Sequence, residues 1–208
     1  MKQLLVLTSL LFTSLAYSAD KDEKGLKPDF TKGDVIPKNA RHDWNLGATG
    51  LRGWMYCDRL VTSDARQIFI TKVEPNSPAD GIVMVGDSIL GVGGKAFDFD
   101  PRTELGQALT AAETEVGGGR LVLTRWRGGK TEEVVLKLPV LGSYSSTAPF
   151  DCLKSKRILE QGSKALAARM ATPNYGKNLD SIPRSLNALG LLAGGDAAHL
   201  PLVKKEAQ

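Results

Sequence analysis

The run VEPNSPADGIVMVGDSILGVGG, residues 73–94, decides how the middle of this chain folds. Val73 closes an apolar stretch, and a proline-bounded turn follows, with a very short helix expected at Ser77 to Asp80. IVMVGD brings the chain back, and Gly86 stands at the tight bend before a second strand, SILGV. GGKAF, residues 93–97, is then a turn into another short strand. The glycines fall where a side chain would obstruct a reversal.

The flanks extend the pattern. RQIFITKV, 66–73, is rich in β-branched and aromatic residues and reads as a strand covered on both faces. DPRTELGQALTAAETE, 100–115, reads as a helix: Asp100 can cap it, Pro101 suits its first position, and Leu105, Ala108, Leu109 and Ala112 recur at helical spacing. The glycines at 117–119 end it. RLVLTRW, 120–126, and EEVVLKL, 132–138, alternate in the manner of half-buried strands, and the RGGK between them is a hairpin turn. Residues 43–140 therefore predict one small α+β domain of about five short strands and one good helix.

On these residues the chain resembles the PDZ domain, most closely its bacterial exported form. VEPNSPADGIVMVGDSILGVGGKAF matches the order of that family's centre: V-x-P-x-S-P-A, Gly, an apolar residue, G-D, an apolar strand and a G-K-x-F turn. GLRGWM, 50–55, stands where the family carries its carboxylate-binding loop, commonly G-L-G-F. The resemblance implies a small, partly open β-barrel capped by two helices, binding an extended peptide as an added strand. By position it implies a carboxylate loop and edge strand at Gly50, Leu51, Arg52, Gly53, Trp54, Met55 and Tyr56, with Leu105 and Leu109 on the groove helix. The chain departs from the pattern at Arg52, where an apolar residue is usual, and at Trp54, which replaces the common Phe. Arg52 could meet a ligand carboxylate or be solvated, and Trp54 could be core or ligand platform.

Outside that domain, residues 1–18 read as an export signal: Lys2, the apolar run LLVLTSLLFTSLA, and small Ala16 and Ser18 before a cut at Ala19. An uncleaved anchor is the alternative. The expected location is periplasmic or extracellular, with no membrane span after cleavage. Residues 19–42 alternate charges and read as a flexible linker. PVLGSYSSTAPFD marks the next boundary: residues 141–152 read as a Pro/Gly/Ser-rich spacer, and 153–208 as two to three helices. The apolar faces expected there are Leu159, Gly162, Leu166 and Met170, then Ile182, Leu186, Leu189 and Ala193, with Ser181 as a cap. This tail resembles the opening of α/α-repeat regions in large secreted bacterial proteins.

Composition narrows the function classes. A net charge of +4 without a Lys/Arg block argues against nucleic acid as a partner. Two cysteines, Cys57 and Cys152, are far apart and read as separate thiols, a single bridge being the alternative. No cofactor or metal is expected: there is no CxxC or HExxH, and the only histidines are His42 and His199. Neither histidine lies near a nucleophile signature, so enzymatic activity is not expected. The sequence predicts a module binding a protein or peptide by strand addition. The other reading is a non-catalytic accessory domain of a larger secreted enzyme or α/α-repeat protein.

Overall fold

The computed structural model describes residues 27–40 and 42–207, so the expected export signal lies outside the described residues. The described residues are α+β, with one antiparallel sheet and four α-helices. Its elements are β1 (Trp44–Asn45), β2 (Leu51–Trp54), β3 (Ile68–Val73), β4 (Ser88–Val92), β5 (Lys95–Ala96), α1 (Pro101–Ala112), β6 (Arg120–Arg127), β7 (Lys130–Lys137), α2 (Leu153–Met170), α3 (Ser181–Gly194) and α4 (Leu200–Glu206). The sheet is open and runs β1-β2-β3-β4-β6-β7, with β5 paired to β4.

Local chemistry explains most of these boundaries. Asp100 accepts a hydrogen bond from the Arg102 N–H at 2.9 Å, and Pro101 opens α1. Gly128 and Gly129 both have positive φ between β6 and β7, the backbone of a tight hairpin. β3 alternates rather than being covered equally on both faces: Ile68 and Ile70 are fully buried, while Phe69 and Thr71 are half-buried. The main core joins these isoleucines to Leu51, Met55, Ile89, Leu105, Leu121, Leu123 and Leu136.

Other expectations change. Residues 77–83 form consecutive turns, such as Asp80 N–H to the Ser77 carbonyl and Val83 N–H to the Ala79 carbonyl, so the short helix is absent there. Among the described residues of this domain, α1 is then the one α-helix laid on the sheet, where two helical caps were expected. The sheet gains a strand, β1, just ahead of the expected loop. The stretch read as a linker also includes a docked segment, since Phe30 is buried.

The helical part has its own small core of Ala167, Met170 and Leu191. α3 approaches α2 through small residues: a Cβ on Gly194 would lie 2.2 Å from Ser163 Oγ. Asp180, not Ser181, occupies the cap position of α3. Ile182, Leu186 and Leu189, expected on the packed face, are exposed, as is Leu159. The apolar residues of α3 run around more than one face, and packing selected the side carrying Gly190, Leu191 and Gly194. Among the described residues, no helix is long and apolar enough to cross a membrane.

Candidate functional site

The loop ahead of β2 is tightly self-bonded. Gly47–Thr49 form a single 3-10 turn closed by Gly50, which has a φ of 78°. Thr49 Oγ1 donates to the Leu46 carbonyl and accepts from the Leu51 N–H at 3.1 Å. The Leu46 N–H donates to the Leu51 carbonyl at 3.0 Å. The run quoted at the outset holds this loop from behind. Glu74 N–H donates to the Gly50 carbonyl, and Ala79 N–H to the Thr49 carbonyl. A Cβ on Gly50 would lie 2.1 Å from the Ser77 Cβ, so only glycine lets the turn and loop meet.

This geometry departs from the expected loop and edge strand. The Leu51 amide is spent on Thr49, and Arg52 and Gly53 lie inside a ladder between β1 and β3. Trp44 pairs with Gly53 and Asn45 with Arg52. β2 is therefore an interior strand ending at Trp54, not the edge; Met55 and Tyr56 follow it outside the ladder, Met55 wholly in the core. Trp54 is buried, its ring edge-on to Phe30 at 5.7 Å between centroids.

Arg52 has an internal partner. Its Nε and Nη2 donate to Asp43 Oδ1 at 3.1 and 2.5 Å, and Thr71 Oγ1 donates to Asp43 Oδ2 at 2.8 Å. The Arg52 hydrogen bond, with the Thr71 hydroxyl, holds the Asp43 carboxyl below the usual carboxylate range. This clamp fastens the start of β1 across β2 and β3.

A groove of about 410 Å³ opens between β1 and α1. Trp44, Asn45, Leu46 and Gly47 form one wall, and Arg102, Thr103, Leu105, Gly106 and Leu109 form the other. Of the nine positions expected to form the site, Leu105 and Leu109 line this groove. In the alternation that pairs Leu46 with Leu51, Asn45 directs its own N–H and C=O away from β2, toward α1. The Arg102 guanidinium sits 5.7 Å from the Trp44 ring centroid. The strand wall escaped the sequence reading, although a Gly-rich turn, LGATG, between Trp44 and Trp54 is the signal of a short hairpin.

A second, more open apolar groove of about 910 Å³ lies beside the start of α2, lined by Tyr144, Pro149, Leu153, Ile158 and Leu159 around Cys152. Cys57 and Cys152 are both free thiols. The Ser155 hydroxyl, then the Ser145 and Ser155 backbone amides, lower the Cys152 thiol to about 6. Its alkylation rate should therefore rise through a midpoint near pH 6, as the thiolate forms, whereas an ordinary thiol responds near pH 8.5. Iodoacetamide labelling followed by peptide mass spectrometry across pH 5–9 checks this. Among the described residues, no three His, Cys, Asp or Glu side chains converge as metal ligands.

A family model described as a domain of unknown function, DUF6288, matches residues 155–208, from the third residue of α2 through α4. No curated protein matches this chain.

Proposed function

We propose that residues 43–140 are a PDZ-like interaction module, exported with the rest of the chain, which takes an extended protein segment by strand addition. The observation that supports this reading is the groove between β1 and α1, with a strand edge on one wall and, on the other, a helix face carrying Leu105 and Leu109 beside Arg102 and Thr103. Main-chain pairing would supply affinity, and the hollow over Leu105 and Leu109 would take a side chain. The added strand would lie on β1, because the chain's own Trp44 and Asn45 already occupy the edge of β2.

Gly106 provides the test. Gly106 lines the groove and a Cβ there meets nothing within 4 Å, so the side chain of Gly106→Trp starts in open space at the groove wall. The helix itself should tolerate the change, since glycine is a poor helix former. Peptides selected from a library on the wild-type chain should lose at least about tenfold in affinity for Gly106→Trp, equivalent to about 1.4 kcal/mol. Amide shifts in wild type should centre on Asn45 and Gly47. Selected peptides that bind the variant undiminished would place the binding surface elsewhere.

A further inference from the structure

The segment Lys27–Gly33 lies on the side of β2 and β3 remote from the main core, and it is held there as a bound peptide would be. The Phe30 N–H donates to Gln67 Oε1 at 2.9 Å, while Gln67 Nε2 donates to Asp29 Oδ1 at 2.7 Å. One carboxamide thus reads a main-chain donor and an acidic side chain together. Phe30 is 3% exposed, its ring edge-on to Trp54 and 4.7 Å from the Phe69 centroid. Asp29 Oδ1 also accepts from the Thr31 N–H and Oγ1, which folds the segment into the 3-10 turn that presents Phe30. Lys27 reaches Asp64 at 3.1 Å and the Tyr56 ring at 5.9 Å.

The segment is docked on the sheet without belonging to it. The segment adds no strand to the sheet, and Phe30 is its one buried residue. The chain that follows toward β1 is largely exposed at residues 32–35 and 38–39. Phe30 meets Trp54 and Phe69 through side chains, and its N–H goes to the Gln67 side chain instead of a strand backbone.

We propose that Trp54, Phe69 and Gln67 form a recognition site for a short segment carrying an acidic residue followed by an aromatic and a threonine, occupied in this chain by its own Asp29-Phe30-Thr31. A segment of that chemistry from another polypeptide competes with the chain's own for the same three side chains. The site is separate from the groove between β1 and α1, so either proposal can fail without the other.

The test uses the full chain with Phe30→Ala and a labelled peptide, KPDFTKG, matching residues 27–33. The variant should bind the peptide saturably, with a shift of the Trp54 indole N–H. The same peptide with alanine for phenylalanine should bind at least about tenfold more weakly. Wild type, whose own segment competes, should bind the parent peptide more weakly than the variant does. A folded variant that fails to bind the peptide overturns the proposal, as does equal binding by wild type and variant. If Phe30→Ala does not fold, a protease site placed within 35–39 gives the second measurement. Exchange of the cut segment for labelled peptide supports reversible recognition, and failure to exchange overturns it.

Discussion

Asp87→Ala should lower the stability of the β-rich domain by about 3–5 kcal/mol, the range found when one member of a buried ion pair is removed. Asp87 is the aspartate of the G-D step, and its side chain is 2% exposed. Its two oxygens accept from Arg127 Nε and Nη2, both at 2.6 Å, and Oδ2 also accepts the Met84 N–H at 2.8 Å. Arg125, 8% exposed, places its Nε 4.0 Å from the same carboxylate. It also donates to the Ile82 carbonyl and pairs with Glu132. Deleting the carboxylate leaves a main-chain donor unmet and removes negative charge beside two guanidinium groups, one of them buried. Asp87→Asn should lose less, because the amide oxygen can still accept one of these bonds. Urea denaturation with an unchanged slope measures the difference. A loss below about 1 kcal/mol would mean that Glu132 and water alone suffice to hold Arg125.

That result bears on how the motif works. Gly86 turns the chain at a φ of 94°, its N–H donating to the Ile70 carbonyl, and Asp87 then locks the turn to β6. The preceding turns grip the loop at Thr49 and Gly50. One stretch thus ties β3, β4 and β6 to the loop between β1 and β2, next to the candidate groove. A marker built for local chain reversal also sets the position of a distant loop.

What could be read from the sequence was local. Asp100 with Pro101, the paired glycines at 128 and 129, and the alternation in β6 each act within a few residues, and each element formed as expected. β1 could not announce itself by periodicity, since two residues contain no repeat. It exists because Asp43 finds Arg52 and Thr71, neither close to it in sequence. Phe30 was hidden for a related reason: one aromatic among lysines and aspartates has no pattern, and its partners Gln67 and Phe69 lie far along the chain, at the start of β3. In α3 the period was right but the face was not. Apolar residues cover several sides of that helix, and the close approach at Gly194 decided which side met α2. The groove inherits this limit, because its strand wall is β1.

Lys154→Ala should detach the helical part from the sheet domain, at a cost of about 3–5 kcal/mol to the contact between them. The two apolar cores share no residue, so the contact rests mainly on polar groups. Lys154 Nζ reaches Glu113 Oε2 at 2.6 Å, with side-chain exposures of 2% and 14%, and lies 4.6 Å from the Tyr144 ring centroid. Glu113 closes α1, and its carbonyl accepts the N–H groups of Leu141 and Gly142. Arg157 adds a hydrogen bond from Nη1 to the Leu141 carbonyl at 3.1 Å. Truncating the lysine strands a nearly buried carboxylate, which must then be hydrated by opening the contact. Removing both charges should be far milder: Lys154→Met with Glu113→Leu should come within about 1–2 kcal/mol of wild type, because no desolvated charge is left alone. The readout is limited proteolysis within the spacer, at residues 143–152, alongside denaturation followed by a probe in each part. Lys154→Ala should expose the spacer and separate the two unfolding transitions, and the double variant should restore both. If the single variant is cut no faster than wild type, the Arg157 contacts are sufficient to hold the helices in place.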